Sequence, residues 1–423
     1  MKRRPVLSLL LVLSFCLPLA FSQQAGDLRW VTTWATAQLL VRPAAPAAPQ
    51  SARKSPGASG FRNQTLRMVL RTSVGGERIR IRLANAFGGS PVILGGARVA
   101  LRAQGSQIVP GSDRPLTFNG NPGCTLGPGV VLLSDPVALK VPPLTHLTVS
   151  LFFPEETGPP TVHATGLHTT YISKEGDFTA ADPFPEESTT LSYYWLAGVE
   201  VAASPDTSLV VALGDSITDG AVSTPNTDRT WPALLAARLA STKQTSRIAV
   251  ANLGIGGNRV LRDGTGASAL ARLDRDVLSQ PGVRWLMFLE GINDIGAGAR
   301  SPAQAVTAEE LIAGHKQIIE RARAMGIKVI GCTLTPYEGA GYYSEQGEAV
   351  RQALNQWIRT SGAYDAVVDF DAATRDPQNP RRFRADYDPG DHLHPNDKGY
   401  QAMADAVDLK IFTAAPPAPP RKR

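Results

Sequence analysis

Four short segments, rich in glycine and polar residues, carry the residue types that acyl-transfer chemistry needs. In chain order they supply Ser216, Gly257, Asn293, and Asp391 with His394. A serine hydroxyl becomes a nucleophile when an imidazole takes its proton and a carboxylate orients that imidazole. Amide N–H groups can stabilise the oxyanion that forms when the hydroxyl attacks an acyl carbon. The set therefore predicts a serine-dependent acyl transfer.

The individual roles follow from residue type and spacing. Ser216 is the candidate nucleophile, and His394 is the base that takes its proton and returns it to the leaving alkoxide. Asp391 is the carboxylate expected to fix the tautomer of that imidazole. Asp388 and Asp386 also precede the histidine, but Asp391 is preferred because one turn of three residues brings its carboxylate to the ring.

Three N–H donors are candidates for the oxyanion hole. They are the backbone amides of Ser216 and Gly257 and the side-chain amide of Asn293, which donates without titrating. Gly257 follows Gly256, and adjacent glycines permit unusual backbone angles and a close approach to a ligand. An ordinary turn is the alternative explanation for the Asn293 segment.

Other single segments also have alternative explanations. Asp215 and Ser216 could cap a helix. The glycine-rich segment could be a dinucleotide loop, but Arg259 stands where G-x-G-x-x-G needs its third glycine. His392 and His394 with a nearby aspartate resemble a metal-ligand cluster. Because no further Cys or His cluster follows the other predicted strands, we expect neither a metal nor a cofactor.

The chemistry-bearing segments follow predicted strands of a parallel sheet. Apolar runs predict strands at 209–213, 248–252, 285–289, 328–334 and 366–370. Helical patterns predict helices at 231–240, 269–278, 308–325, 347–359 and 395–411. Five alternating units indicate an α/β domain over residues 206–413 with helices on both faces of the sheet. Pro395 is expected in the first turn of the last helix, with His394 just before it.

The chain before this domain has a different rhythm. Short alternating strands with Gly and Pro turns between about 65 and 175 predict a β-sandwich domain over residues 27–203. Arg78, Arg80 and Arg82 alternate along one predicted strand and so share a face. We expect a solvated face, with an acidic or sugar-binding groove as the alternative.

Both ends of the sequence have special composition. Residues 1–22 combine a basic start, an apolar stretch and a small-residue exit, which predicts a signal peptide and a secreted or periplasmic protein. A membrane anchor is the alternative, but we expect no stable membrane insertion after cleavage. Residues 414–423 form a Pro-rich basic tail that we expect to be disordered. Three basic residues at each end account for the net charge of +6, so the body gives no indication of nucleic-acid binding. Cys124 and Cys332 fall in different predicted domains and are expected to be free.

Together the four segments resemble the signature blocks of the SGNH (GDSL) hydrolase superfamily. They read G-D-S-I-T-D-G at 214–220, N-L-G-I-G-G at 252–257, G-I-N-D at 291–294 and D-H-L-H at 391–394. The resemblance covers roughly residues 207–412 and implies a flavodoxin-like three-layer fold without a metal. It does not extend to the G-x-S-x-G elbow of α/β-hydrolases, because Thr218 stands at the second glycine.

A narrower resemblance concerns a subgroup with an N-terminal β domain. T-W-A at 33–35, L-A-N-A-F-G at 83–88 and T-L-T-P-Y-E at 333–338 look like segments of acylhydrolases associated with bacterial polysaccharide degradation. The resemblance implies a secreted esterase that removes short acyl groups, acetyl foremost, from carbohydrates or other small or polymeric esters. The alternatives are a lipolytic or aryl esterase, and a carbohydrate-binding protein with an idle hydrolase domain.

Overall fold

The computed structural model describes residues 28–40, 57 and 59–413. The predicted signal peptide over 1–22 and the predicted tail over 414–423 lie outside the described residues. Within the described ranges, the helices are all too short or too polar to cross a membrane.

The first half of the chain is built from antiparallel strands. They are β1 (Arg29–Ala35), β2 (Leu39–Leu40), β3 (Gln64–Arg71), β4 (Gly76–Ala84), β5 (Val92–Leu94), β6 (Gly96–Leu101), β7 (Arg114–Leu116), β8 (Cys124–Leu126), β9 (Val131–Leu133), β10 (Val137–Val141), β11 (His146–Phe153), β12 (Thr161–His163), β13 (Thr170–Glu175), β14 (Glu186–Thr190), β15 (Tyr193–Tyr194) and β16 (Leu196–Ala203). One large sheet has the order β1-β16-β4-β10, with β9 also paired to β4, and the other has the order β14-β13-β3-β11-β6-β7. Two smaller sheets have the orders β15-β12-β2 and β5-β8.

The two large sheets share one hydrophobic core. Strand β4 alternates buried and less buried residues, as expected for a strand with one apolar face, and it buries Ile79, Ile81 and Leu83. These residues belong to the same core as Leu147 and Val149 of β11 in the other sheet. Burial of these alternating apolar side chains therefore stabilises this part of the chain.

The arginines of β4 differ from the prediction. Arg80 donates from Nε to Glu200 at 2.7 Å, and Arg82 donates from Nη2 to the second oxygen of the same carboxylate at 2.5 Å. The Arg80 guanidinium also lies 4.2 Å from the ring centroid of Trp30. Only Arg78 of the three is exposed. The prediction of a shared solvated face is wrong, because β16 places the buried Glu200 opposite Arg80.

The second half forms a five-stranded parallel sheet flanked by helices. Its strands are β17 (Ser208–Gly214), β18 (Ile248–Gly254), β19 (Val283–Leu289), β20 (Lys328–Cys332) and β21 (Ala366–Val368), in the order β18-β17-β19-β20-β21. Its helices are α1 (Ser216–Asp219), α2 (Trp231–Ala240), α3 (Ala269–Leu273), α4 (Ile292–Arg300), α5 (Ala308–Ala324), α6 (Glu345–Thr360), α7 (Phe370–Thr374) and α8 (Asp397–Asp405). A π-helical turn (Asp274–Leu278) extends α3, and 3-10 turns cover Pro302–Gln304 and Leu409–Phe412.

This strand order is that of flavodoxin-like sheets, in which ligands bind where the order reverses. The reversal here lies at β17, with β18 on one side and β19 on the other. The predicted fold class, a flavodoxin-like α/β hydrolase domain preceded by a β domain, is confirmed. The change from antiparallel to parallel pairing falls between β16 and β17.

The start of the last helix differs from the prediction. Helix α8 begins at Asp397, and its N-cap is Asn396, whose side-chain oxygen accepts hydrogen bonds from the amides of Lys398 and Gly399. Pro395 therefore precedes the cap and does not lie in the first turn. Capping by Asn396 sets the start of the helix, although proline favours the first helical position, because the Asn396 side chain satisfies two N–H groups that would otherwise be free.

Both cysteines in the described residues are free thiols. Cys124 lies half-buried in β8 and Cys332 fully buried in β20. Burial raises the pKa of Cys124 to about 11 and raises that of Cys332 further above its ordinary value. Neither group is a reactive thiolate at neutral pH, since the thiolate form requires a lowered pKa.

Candidate active site

Ser216 stands at the carboxyl end of the central strand. Strand β17 ends at Gly214, Asp215 caps helix α1, and Ser216 is the first residue of that helix. The Asp215 side chain accepts the hydrogen bond from the amide of Ile217 at 2.9 Å. Capping is thus the task of Asp215, which leaves the hydroxyl of Ser216 free for other partners.

The loop before α8 brings the histidine and its carboxylate to the same place. His394 Nδ1 lies 2.6 Å from Asp391 Oδ2, and His394 Nε2 lies 2.8 Å from Ser216 Oγ. A carboxylate only accepts, so Nδ1 carries the proton and Nε2 offers its lone pair to the serine hydroxyl. The structure therefore brings Ser216, His394 and Asp391 into one hydrogen-bonded chain.

The carboxylate of Asp391 is held firmly. Its Oδ1 accepts hydrogen bonds from the amides of Leu393 and His394, both at 3.0 Å. Partial burial acts to raise the pKa of Asp391, but the hydrogen bonds from the backbone and ring of His394 outweigh burial and lower it below its ordinary value. Asp391 is thus ionised throughout the pH range in which the reaction needs a neutral imidazole.

The neighbouring acids and histidine form a separate pair. Asp388 Oδ2 lies 2.5 Å from His392 Nδ1, and Asp388 Oδ1 accepts from the amides of Gly390 and His392. Asp386 lies beside Arg384, with a nitrogen–oxygen distance of 3.2 Å. Neither acid contacts His394. The two histidines of this loop bind different aspartates, so they do not converge on one metal position.

The three candidate oxyanion donors lie on α1, on the loop after β18 and on α4. Gly257 has a φ of +77°, which only glycine adopts without strain, and its amide bonds to no other described residue. The amide of Ser216 is likewise free among the described residues. Asn293 lies in the first turn of α4 and donates one side-chain hydrogen to the carbonyl of Asn258 at 3.0 Å, which leaves its second hydrogen available.

The part of the chain that holds this site matches a known family. Residues 212–402, somewhat less than half of the sequence, match the model of the GDSL-like Lipase/Acylhydrolase family. This part is a GDSL-like lipase/acylhydrolase domain. The predicted superfamily is confirmed, and with it the prediction of a carboxylic ester hydrolase. No curated protein matches the chain.

Solved structures resemble the GDSL-like domain only distantly. A GDSL-like lipase from Bacteroides thetaiotaomicron VPI-5482 is 20% identical over 49% of this chain and 90% of its own, with a TM-score of 0.37. A catalytic mutant of an acetylxylan esterase from Geobacillus stearothermophilus is 22% identical over 47% of this chain and 91% of its own, also with a TM-score of 0.37. A G-D-S-L family protein from Desulfitobacterium hafniense DCB-2 is 24% identical over 49% and 99%, again at 0.37. These likenesses add nothing to the family match.

Several positioning residues of the GDSL-like domain were not predicted from the sequence. The Tyr342 hydroxyl lies 3.4 Å from Asn293 Oδ1, so the amide is held from both ends. Arg272, fully buried, donates to the carbonyls of Gly214 and Leu253 and to the side chain of Asn258. It ties the ends of β17 and β18 to the loop that holds Asn293. A basic residue in an apolar helical pattern is the only sequence signal for it.

Buried carboxyl groups lie beneath the site. Burial raises the pKa of Asp215 to about 7 and raises the pKa of Glu290 well above its ordinary value, with further repulsion between the two acids. Burial also raises the pKa of Asp294 to about 6, although two backbone amides donate to it. Arg272 is a cation near these acids, with Nη2 3.9 Å from Glu290 Oε2. These acids are therefore largely neutral in mildly acidic solution.

One group of side chains outside this site has the composition of a metal centre. His146, His168 and Asp228 bring possible ligand atoms within 4.8 Å of one another, and each histidine Nε2 lies 3.0 Å from an Asp228 oxygen. His168 Nδ1 is buried without a partner in the described part of the chain. His168 donates from Nε2 to Asp228 Oδ1 at 3.0 Å, so this imidazole is already bonded to the aspartate.

Proposed function

We propose that the chain is an exported serine esterase that removes short acyl groups, acetyl foremost, from carbohydrate esters through an acyl-enzyme on Ser216. The single observation that carries the catalytic part is the unbroken hydrogen-bond chain from Asp391 through His394 to Ser216. The family of the GDSL-like domain supplies the reaction class. Export is supported by the signal-like composition of residues 1–22.

The first half of the reaction forms the acyl-enzyme. As Ser216 Oγ bonds to the acyl carbon, its proton passes to His394 Nε2 and the carbonyl electron pair moves to the oxygen. The amides of Ser216 and Gly257 and the side chain of Asn293 stabilise that oxyanion. When the carbonyl re-forms, the bond to the alkoxy oxygen breaks, and His394 returns its proton to the leaving alkoxide.

The second half releases the acid by the same groups. A water gives its proton to His394 Nε2 as its oxygen attacks the acyl carbon, and the ester bond to Ser216 then breaks. The proton on the imidazole returns to Ser216 Oγ. Throughout, Asp391 stabilises the imidazolium without taking its proton. The net reaction converts an ester and water into an acid and an alcohol.

The carbohydrate part of the proposal rests on the subgroup resemblance and on the openness of the site. The side chain of Asp391 is 41% exposed, and its neighbour His392 is 47% exposed. The loop that carries His394 is thus open to solvent, which leaves space for an alcohol partner that is part of a polymer. The intact set of five catalytic candidates argues against a binding protein with an idle domain.

The test compares substrates on the parent protein and Ser216→Ala. We expect acetate release from acetylated xylan or pectin, rates on aryl esters that fall as the acyl chain lengthens, and no release by the variant. Comparable rates on long-chain lipids would instead support a lipolytic esterase. Activity of Ser216→Ala close to that of the parent would rule out Ser216 as the nucleophile.

A further inference from the structure

A second histidine–aspartate pair joins the antiparallel half of the chain to the GDSL-like domain. His163, the last residue of β12, lies with Nε2 3.0 Å from Oδ1 of Asp219, the last residue of α1. Both side chains are 5% exposed. The two residues are brought together only by the packing of the two halves.

The partners of His163 fix its charge. Its Nδ1 lies 2.7 Å from the carbonyl oxygen of Ala37, and its Nε2 faces the carboxylate of Asp219. Both partners only accept hydrogen bonds, so both ring nitrogens must carry protons. Burial acts to lower the pKa of His163, but the charge of Asp219 and the hydrogen bonds outweigh burial and raise it. The ring is therefore a buried imidazolium with no free nitrogen.

The other oxygen of Asp219 reaches the oxyanion loop. Asp219 Oδ2 accepts the hydrogen bond from the amide of Gly256 at 3.1 Å. Gly256 directly precedes Gly257, whose amide is a candidate oxyanion donor, and Asp219 lies three residues after Ser216 in α1. One carboxylate thus connects the helix of the nucleophile to the loop of the oxyanion hole.

Close packing leaves this connection little freedom. A Cβ atom on Gly254 would lie 2.2 Å from the backbone nitrogen of Asp219. The Asn252 side chain donates to the carbonyl of Thr218 at 2.7 Å. Helix α1 is therefore packed tightly against the end of β18, with the Asp219 carboxylate between His163 and the amide of Gly256.

We propose that His163 is a positioning residue for ester hydrolysis, holding Asp219 so that the amides of Ser216 and Gly257 converge on the oxyanion. The proposal rests on the proposed function of Ser216. It assigns to the antiparallel half a part in catalysis on every ester, small or polymeric. Loss of an oxyanion donor typically costs about 100- to 1,000-fold in turnover, and a displaced donor costs less.

The experiment uses the full chain with three variants, His163→Ala, His163→Gln and His168→Ala. His168 is the matched control, because it also comes from the antiparallel half and contacts an aspartate of the other half, Asp228, but has no link to Gly256. Circular dichroism and thermal unfolding establish that each variant is folded. The measurements are kcat and KM on a small aryl acetate, and the rate at which a fluorophosphonate forms an Oγ–P bond at Ser216 with loss of fluoride.

We expect His163→Ala to lower kcat and the labelling rate by about 10- to 100-fold with KM within about twofold. His163→Gln, which keeps one donor, should fall between this variant and the parent, while His168→Ala should match the parent. His163 and Asp219 line a cavity of about 110 Å³, so added imidazole should restore part of the rate of His163→Ala.

Folded His163→Ala with kcat and labelling within about twofold of the parent would overturn the proposal. An equal loss in His168→Ala would also overturn it, because general damage to the junction would then be the cause. If His163→Ala does not fold, the same thresholds apply to His163→Gln. Ser216→Ala separates the two claims: if it retains activity, the proposed function fails, whereas its inactivity beside a normal His163 variant defeats only the positioning role.

Discussion

The loop before α8 and the junction between the two halves each hold a histidine–aspartate pair, in opposite surroundings. The side chains of His394 and Asp391 are 17% and 41% exposed, whereas His163 and Asp219 are both 5% exposed. One ring nitrogen of His394 faces a hydroxyl, so the ring can gain and lose a proton. Both ring nitrogens of His163 face acceptors, so its protons are held. The partner of the second nitrogen thus decides whether such a pair can transfer protons.

Removing the imidazole of the loop pair should give the largest effect. We expect His394→Ala to lower kcat for a small aryl acetate by about 10⁵- to 10⁶-fold, because Ser216 then has no base and the leaving alkoxide no acid. Steady-state kinetics with the purified variant make the measurement. A loss below about tenfold would show that His394 is not the base.

The acid of the loop pair should give the next largest effect. We expect Asp391→Asn to lower kcat by about 10³- to 10⁴-fold, because an amide can hold the imidazole in the wrong tautomer. Asp388→Asn is the matched control, since Asp388 bonds His392 in the same loop, and it should change kcat only several-fold. If Asp388→Asn is the inactive variant and Asp391→Asn is nearly normal, the assignment of the carboxylate is wrong.

For stability the order of the two pairs should be reversed, with the larger loss on mutation of the buried pair. We expect His163→Gln to lower the free energy of unfolding by about 2–4 kcal/mol, because the buried carboxylate of Asp219 loses its cation. His394→Gln should change it by less than about 0.5 kcal/mol, since its loop is open to solvent. Urea unfolding of both variants decides this. Equal losses of unfolding free energy in the two variants would show that the buried pair is no more important for stability than the loop pair.

A smaller effect of burial should be visible in the pH dependence of stability. The pKa of Asp215 is about 7 in the folded protein, above its value in the unfolded chain, so the folded state binds the extra proton between about pH 4 and 7. The proton on Asp215 stabilises the folded state, and it is lost as pH rises through that range. The free energy of unfolding therefore falls.

Asp215→Asn keeps the oxygen that caps Ile217 but cannot ionise. We expect its stability relative to the parent to increase by more than about 1 kcal/mol between pH 4 and 7, the equivalent of one pKa unit. Unfolding titrations at several pH values test this. A difference that stays constant with pH would show that Asp215 is not a buried, raised acid.

Much of the parallel half could be predicted because buried parallel strands are continuous apolar runs. All five strands were found, and helix α2 was predicted with its observed bounds, Trp231–Ala240. Helix α4 was not, because its start, G-I-N-D, has the composition of a turn. The placement of Ser216, His394 and Asp391 in one site follows from strand ends that share an edge of the sheet.

The contacts between distant segments could not be predicted in the same way. The partner of Arg80 is Glu200, and the partner of His163 is Asp219, each pair far apart in sequence. No period or spacing relates them, since they meet only through sheet pairing or the junction of the two halves. Local patterns therefore located the candidate reaction but not the groups that hold it in place.

The most direct test of the account is to locate the covalent adduct of a fluorophosphonate by mass spectrometry. We expect one adduct per chain, on Ser216, formed quickly by the parent and slowly by His394→Ala, because the hydroxyl must lose its proton to attack. The Ser216→Ala variant should remain unlabelled and inactive. An adduct on another residue, or ester hydrolysis that persists in Ser216→Ala, would contradict the claim that Ser216, His394 and Asp391 perform the reaction.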